Sequence, residues 1–468
     1  MKPSDIRILR LSVEFHDVPA RAPLKFGGVV VRSATMMTVS AMVENRRGRR
    51  AEGHAMMSLS NAWGWPSKVV PPHLCLDAMR ILGLRMSAAL SGRSEAAHPI
   101  DWFVDIVEPE CLRLAGEVCA DMKLPEPMPR LCAMICAAPF DGALHDAFGL
   151  ANGIDSFDGL GPSHMSYDLS KYLGSGFRGR YPERYLRDSY LPEMPVFHLV
   201  GGLDKLTRSE LSADDPDDGL PNCLADWIAR DGVFCLKVKL RGNDLKWDIE
   251  RTLAVGRVGR EELEKLRIRK MHLTADANEM APDAEYVVEY LQKVREADRR
   301  IFNAILYVEQ PTSRDLKNHP ADMRKASRIK PIFADEALTD VASLDDAVRQ
   351  GYSGAALKTC KGQSACLIMV PKLTEGWLPY AVQDLSLTGL ALLQSAGLAA
   401  RIRTVMGVEA NGRQFFPTGS LREAEVHPGF FMVRRGCIST RTLKGPGLGF
   451  QWHRMPMTLM PIASRRKR

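Results

Sequence analysis

Eight short apolar runs alternate with longer amphipathic stretches between about residues 194 and 410. The runs are MPVFHLV, VFCLKVKL, KMHLTADAN, NAILYVEQP, KPIFADEAL, GAALKTC, WLPYAVQDL and RTVMGVEAN. Their lengths are typical of strands, and the stretches between them have the apolar spacing of helices. Eight such units predict an α/β fold, a (β/α)₈ barrel of the TIM type, over residues 194–410.

The spacing of apolar positions is different before residue 190. Three segments alternate apolar and polar positions, IRILRLSVEF, GGVVVRSATMMTVSAMV and AEGHAMMSLS, and helical spacing follows around residues 102–120 and 140–150. We therefore expect an N-terminal α+β domain over residues 1–150 that begins with an antiparallel meander. Residues 151–193 are rich in Gly, Ser, Tyr and Arg and predict a partly irregular connection, after which residues 411–468 would follow the barrel and pack back on the first domain.

Composition narrows the class of protein. The 468 residues are 45% hydrophobic and 25% charged, with a net charge of +7 and ten cysteines without a CxxC pair, which is typical of a globular protein with free thiols. No apolar run approaches the roughly 20 residues that span a bilayer, so no membrane partner and a cytoplasmic location are expected. The basic segments NRRGRR at 45–50 and SRRKR at the end lack interleaved aromatics. We expect a charged hairpin tip and a solvated tail there, not a nucleic-acid site.

Charged residues lie at the ends of five consecutive predicted strands. In CLKVKL, Lys237 and Lys239 share one face because side chains alternate along a strand. In a barrel one face points inward, and the active site lies at the carboxyl ends of the strands. The next four runs end in Asp276, Glu309, Asp335 and Lys358. The sequence thus predicts that these six side chains meet at one rim.

Three converging carboxylates repel one another, and a divalent cation would compensate them. Ligands that are all carboxylate oxygens favour a hard ion, and open positions for water and substrate favour Mg²⁺. Lysines on both sides of such an ion are placed for proton transfer. Lys237 is expected to disfavour the charged form of Lys239, which would make Lys239 a usable base, while Lys358 would serve the other face of a substrate.

Several neighbouring residues have two interpretations. Glu336 is an alternative third ligand, and Lys361 is expected to begin the next helix. His272 and Asn278 share the parity of Asp276, so they either hydrogen-bond near the metal or simply pack. Asp384 and Glu409 either bind substrate or form salt bridges at the rim. Trp63 and Trp65 either line the pocket or, as we expect, pack at the surface.

The ordered motifs resemble the enolase superfamily, and within it the branch of muconate lactonizing enzymes and mandelate racemases whose sites carry two lysines. The motifs are K-x-K (Lys237, Lys239), D-x-N (Asp276, Asn278), V-E-Q-P (Glu309), A-D-E (Asp335) and L-K (Lys358). The resemblance implies a capping domain on a modified barrel and Mg²⁺ held by Asp276, Glu309 and Asp335. It further implies Lys239 as base on one face, Lys358 as acid or base on the other, and Lys237 as the lysine that tunes Lys239.

The function implied by this resemblance is Mg²⁺-dependent abstraction of the proton α to a substrate carboxylate through an enolate. A racemase or epimerase acting on a small carboxylate, as a homo-oligomer, is the leading expectation. A lyase (dehydratase) or a cycloisomerase would use the same intermediate, and a non-catalytic binding protein is the third alternative. The chain departs from the family in length, in lacking a DxD pair near the eighth run, and in having Asp384 where some relatives have histidine.

Overall fold

The computed structural model describes residues 1–26 and 29–456, with side chains described except at 22–30. Its first part contains an antiparallel sheet with the strand order β3-β2-β1-β4. The strands are β1 Ile6–Phe26, β2 Val29–Asn45, β3 Arg50–Ser58 and β4 Ala96–Ala97. Alternation forms the sheet, since Ile6 and Ile8 are buried and Arg7 between them is exposed. The predicted meander is confirmed, and the basic segment at 45–50 forms the turn between β2 and β3.

Five helices complete this domain. They are α1 Asn61–Gly64, α2 Pro72–Leu90, α3 Pro99–Trp102, α4 Glu108–Asp121 and α5 Arg130–Asn152, with a π-helical turn at Phe103–Val107. Of these, α2 and α5 pack on the sheet. Almost every residue of α5 is buried, because this helix lies between the sheet and the barrel. Its approach to β3 is close enough that a Cβ at Gly53 would lie 2.2 Å from the Ala147 nitrogen. The capping domain therefore packs around α5.

Each of the eight predicted runs contains a parallel strand. They are β5 Glu193–Val200, β6 Cys235–Lys239, β7 His272–Asp276, β8 Ile305–Glu309, β9 Ile332–Ala334, β10 Gly354–Leu357, β11 Tyr380–Val382 and β12 Val408–Glu409. The barrel closes because β12 pairs with β5 as well as with β11. Its helices are α7 Leu224–Asp231, α8 Leu245–Lys265, α9 Ala284–Ala297, α10 Arg299–Ala304, α11 Arg324–Ser327, α12 Val341–Arg349, α13 Gln363–Glu375 and α14 Gly389–Arg401. The predicted TIM-type barrel with an α+β capping domain is confirmed.

An aromatic layer fills the lower part of the barrel. Its buried members are Phe197, Cys235, Tyr307, Phe333 and Ala381, and the rings of Tyr307 and Phe333 stack 4.0 Å apart. Leu236 and Val238 belong instead to the large core shared with the helices. Because Cys235 points inward, Lys237 and Lys239 on the same face point to the barrel interior above this layer.

The remaining segments join the two domains. Residues 153–192 contain α6 Ser170–Leu173 and short 3₁₀ turns, whereas α15 Gly412–Phe415, α16 Leu421–Val426, α17 Pro428–Phe431 and β13 Cys437–Ser439 follow the barrel. The C-terminal segment also contacts the cap, since the Leu448 amide donates to Asp146 of α5. The basic end of the chain, 464–468, lies outside the described residues.

Two compositional expectations can be checked in the described part of the chain. All ten cysteines are free thiols, and nine of them are buried. No helix among the described residues is long and apolar enough to cross a membrane.

Candidate active site at the barrel mouth

All six residues predicted from strand parity lie together at the carboxyl ends of the strands. Lys237 and Lys239 come from β6, Asp276 ends β7 and Glu309 ends β8; Asp335 and Lys358 directly follow β9 and β10. In the eight-stranded barrel β6 and β10 are four strands apart, so their lysines approach the mouth from opposite sides. Five of the six are buried, and Lys239 is partly exposed.

Lys237 lies between three carboxylates. Its Nζ is 2.9 Å from Glu309 Oε1, 3.1 Å from Asp276 Oδ2 and 3.4 Å from Glu409 Oε2. Burial alone would lower the pKa of Lys237, but these carboxylates outweigh burial and hold its pKa well above the usual value. The sequence predicts that a divalent cation compensates Asp276, Glu309 and Asp335, whereas in the structure the Lys237 ammonium group lies between two of these acids, Asp276 and Glu309.

Lys239 also contacts Asp276. Its Nζ donates to Asp276 Oδ2 at 2.5 Å and to Asn278 Oδ1 at 2.8 Å, while the Asn278 amide donates to Asp276 Oδ1 at 2.9 Å. Burial would raise the pKa of Asp276, but Lys239 and Lys237 lower it to about 2. Glu309 behaves oppositely, because burial and the neighbouring Asp276 charge raise its pKa well above the ordinary range.

Asp335 is held by two lysines. Lys358 Nζ is 2.7 Å from its Oδ2, and Lys361 Nζ is 3.0 Å from its Oδ1. Burial acts to raise the pKa of Asp335, yet these lysines hold it well below the usual range. The expectation for Lys361 was wrong: it ends a 3₁₀ turn at Thr359–Lys361, and its side chain is fully buried. Strand parity could not find Lys361, since it lies beyond the strand.

A cap residue reaches this cluster. Trp63 Nε1 donates to Glu336 Oε1 at 2.9 Å, and Asn278 Nδ2 donates to the same oxygen at 3.1 Å. Burial, and then the charge of Asp335, raise the pKa of Glu336 to about 7. Trp63 and Trp65 are both buried, so the expectation of surface packing was wrong for both.

The backbone after β7 and β8 is strained. Asn278, Glu279 and Gln310 have φ of 42°, 70° and 28°, which non-glycine residues adopt at a cost of about 1–3 kcal/mol each. Side-chain contacts hold these conformations. Arg314 binds the Glu279 carboxylate with Nε at 2.8 Å, and Gln310 Oε1 accepts from the Asp335 amide at 2.8 Å. The strained loops thus fix the orientation of the acids.

Asp384 and Glu409 lie together at the part of the mouth formed by the ends of β11 and β12. The Asp384 amide donates to Glu409 Oε2 at 3.2 Å, and Asp384 Oδ2 accepts from the Asn411 amide at 2.9 Å. Burial and the Glu409 charge raise the pKa of Asp384 to about 7. Gln383, which was not predicted, donates to Glu309 Oε2 at 2.5 Å. Its inward parity, two residues after Ala381, could have revealed it.

His272 lies outside the cluster. It begins β7, four residues before Asp276, and its ring contacts Phe234. Of the two interpretations offered for it, the structure shows ordinary packing.

The charges of the cluster do not balance. Its six carboxyl groups belong to Asp276, Glu309, Asp335, Glu336, Asp384 and Glu409, and its four ammonium groups belong to Lys237, Lys239, Lys358 and Lys361. With all groups ionised, two positive charges are lacking, and Glu336 Oε2 is buried without a hydrogen-bond partner. The oxygen donor set and this deficit fit a hard divalent cation.

The present arrangement of the acids is set by ammonium groups. Within residues 1–26 and 29–456, no group of three or more His, Cys, Asp and Glu side chains is arranged so that it could hold a metal ion. Lys237 lies between Asp276 and Glu309, and Asp335 has a lysine on each oxygen. A cation at these acids would therefore replace some of the ammonium contacts.

A cavity of about 110 Å³ opens above the cluster. Its barrel side is lined by Lys237, Lys239, Lys358, Asp384 and Glu409, and its cap side by residues that include Ser33, Thr35, Ser60 and Trp63. Lys239 and Lys358, which come from opposite strands, therefore line one cavity at the junction of cap and barrel.

A (β/α)₈ barrel that is closed by an α+β cap and carries acids and lysines at its strand ends defines the enolase class of folds. Residues 221–455 match the family described as Enolase C-terminal domain-like, and the chain belongs to this family. The predicted membership of the enolase superfamily, and of an enzyme class of isomerases or lyases, is thereby confirmed. No curated protein sequence matches the chain significantly.

Solved structures with the same fold are distant in sequence. The L-Ala-D/L-Glu epimerase of Bacillus subtilis is 18% identical, with a TM-score of 0.63, and covers 95% of this chain and 98% of its own. An enolase from Bradyrhizobium complexed with magnesium and mandelic acid is 17% identical, with a TM-score of 0.58 over 95% of both chains. A muconate lactonizing enzyme from Klebsiella pneumoniae is 17% identical, with a TM-score of 0.54 over 95% of this chain and 96% of its own. At these identities the likeness concerns the fold.

Proposed function

We propose that the protein removes and returns the proton α to the carboxylate of a small substrate, as a Mg²⁺-dependent racemase or epimerase. The observation that carries this proposal is the placement of Lys239 and Lys358 on opposite sides of one cavity above three acids. A carbon acid between them would present one face to each lysine. Proton removal on one face and return on the other inverts the configuration.

Asp276, Glu309 and Asp335 would hold the cation. They are oxygen donors at the ends of adjacent strands, and with all six carboxyl groups ionised the cluster would lack two positive charges. The Bradyrhizobium enolase with a similar fold is complexed with magnesium. When bound, Mg²⁺ supplies electrostatic stabilisation of the negative charge that develops on a substrate carboxylate.

The lysines perform the proton transfers. Lys239 Nζ would take the α-proton in its neutral form, while Lys358 Nζ, held at Asp335, would donate to the opposite face. The roles reverse for the other enantiomer. Lys237 binds the same Asp276 oxygen as Lys239, so the two ammonium groups share one carboxylate at the base of the cavity.

Magnesium binding can be tested without a substrate. Millimolar Mg²⁺ should raise the melting temperature of the wild-type protein, because a ligand that binds only the folded state stabilises it. The variant D335N should lose this shift. D345N is the matched control, since Asp345 lies on α12 and pairs with Lys372 away from the site. An equal shift in D335N and wild type would exclude Asp335 as a ligand.

The reaction itself is tested in D₂O. A library of chiral carboxylic acids is incubated with the protein and Mg²⁺, and α-proton exchange is followed by NMR. A racemase exchanges the α-proton and inverts the centre without net elimination or ring closure, which separates it from a lyase or cycloisomerase. Absence of exchange and turnover across the library would contradict a catalytic function and favour a binding protein.

A further inference from the structure

Trp63 of the cap contacts Lys358 and is linked to Lys239 through a chain of hydrogen bonds. The ring centroid of Trp63 lies 4.5 Å from Lys358 Nζ and 5.7 Å from Lys361 Nζ, within the range of cation–π attraction. Its Nε1 donates to Glu336 Oε1, the oxygen that also accepts from Asn278. Asn278 in turn accepts from Lys239. Trp63 thus touches Lys358 directly and reaches Lys239 through three hydrogen bonds, with Glu336 and Asn278 between them.

The barrel also holds the backbone of Trp63. Arg314 Nη1 donates to the Trp63 carbonyl at 2.8 Å, and the same guanidinium binds the Glu279 carboxylate through Nε at 2.8 Å. Glu279 directly follows Asn278 in the strained turn after β7. The ring, the indole N–H and the carbonyl of Trp63 are therefore each fixed to the barrel rim, which a residue that only fills space would not require.

We propose that Trp63 is a positioning residue through which the docked cap sets the geometry of both lysines. Its ring holds the Lys358 ammonium against Asp335, and its N–H holds Glu336 and Asn278 so that Lys239 faces the cavity. The proposal rests on the proposed function only in naming the two lysines as catalytic. The contacts themselves can be tested without any substrate.

The chain offers a matched control two residues away. Trp65 is also buried, and its Nε1 also donates to a glutamate, Glu126 of the cap, at 2.7 Å. It therefore shares the burial and the hydrogen bond of Trp63 but does not reach the barrel lysines. Lys330, whose Nζ donates to the Ile305 carbonyl at the opposite end of the barrel, reports any general loosening of the fold.

Trace acylation of lysines, read by mass spectrometry, measures the proposed contacts directly. W63L removes the ring and the N–H, so Lys358 should be acylated about fivefold faster, which corresponds to ~1 kcal/mol of lost cation–π attraction. W63F keeps an aromatic ring and loses the N–H, so acylation of Lys239 should increase while that of Lys358 stays unchanged. W65F should change neither, and Lys330 should be constant in all variants.

Activity separates positioning from substrate contact. With an exchanging substrate, W63F should slow the exchange that depends on Lys239, and W63L should slow exchange at both faces, mainly in kcat. Equal acylation of Lys358 in W63L and wild type overturns the proposal whatever the activity, as does faster acylation of Lys330 together with Lys358. If no acid exchanges, the acylation pattern still decides the role of Trp63, so failure of the proposed function is distinguishable.

Discussion

At the scale of single residues, the stability of the site depends on Lys237. Its ammonium group is buried and is within 3.4 Å of Asp276, Glu309 and Glu409. Replacing it by Met leaves Glu309 and Glu409 without an ammonium partner and Asp276 with Lys239 alone, so K237M should lower the free energy of unfolding by about 3–5 kcal/mol in metal-free buffer. Urea denaturation measures the loss.

K246M is the control for this substitution. Lys246 lies on α8, and its side chain is 86% exposed, so the change should stay within about 0.5 kcal/mol. A loss below about 1 kcal/mol in K237M would show that the bridge between the carboxylates does not hold the cluster together.

Strand parity predicted which residues meet at the mouth but not how they compensate one another. The rule of alternation placed Asp276, Asp335 and Lys358 because each ends or follows a strand. It could not place Lys361, which lies in a turn, nor Trp63, which contacts Glu336 across 273 positions of the sequence. Those contacts depend on the docking of two domains, and local pattern contains no information about it.

At the scale of elements, β3 and α5 pack so closely at Gly53 that no side chain fits between their backbones. A Cβ at Gly53 would meet the Ala147 nitrogen at 2.2 Å and the Ala143 carbonyl oxygen at 2.6 Å, and both are backbone atoms that cannot rotate away. G53A should therefore force the strand from the helix and lower the free energy of unfolding by about 1–3 kcal/mol or more.

A second glycine of the cap gives the opposite expectation. Gly116 is exposed on α4, and nothing lies within 4 Å of a Cβ built there. G116A should stabilise the protein by up to about 1 kcal/mol, because alanine is the better helix former. Destabilisation by both variants to the same extent would show that the β3–α5 contact is not the cause.

The elements of the barrel were predicted from the sequence more completely than those around it. Eight apolar runs gave eight strands because a buried parallel strand must be apolar on its outer face, as Leu236 and Leu273 are. The two-residue strand β4 and the edge strand β13 were not predicted. Both are short and form only by pairing with β1 and β5, which are distant in sequence.

At the scale of the whole molecule, buried histidines should make the fold sensitive to acid. His98 caps the N-terminus of α3 and joins it to the connecting segment, since its ring accepts from the Ile100 amide and contacts the Gly159 carbonyl, both at 3.2 Å. Burial lowers the pKa of His98 to about 3. Below its ordinary pKa of ~6.5 the unfolded chain binds a proton that the folded chain excludes, so stability is lost as pH falls.

The variant H98N isolates this contribution. Between about pH 6 and pH 3 the wild-type protein should lose about 1.4 kcal/mol per pH unit more than H98N, because the two chains differ by one proton taken up on unfolding. Urea denaturation at several pH values gives both slopes. Parallel slopes would show that His98 is protonated in the folded protein.

The central claim is that Lys239 and Lys358 act on opposite faces of one carbon acid. It is tested most directly by enantiomer-resolved deuterium exchange with Mg²⁺ in wild type, K239A and K358A, with circular dichroism to confirm the fold. Wild type should exchange and interconvert both enantiomers. Each variant should lose racemisation, and any exchange that persists should come from one enantiomer in K239A and from the other in K358A. Racemisation retained in both variants would contradict the account.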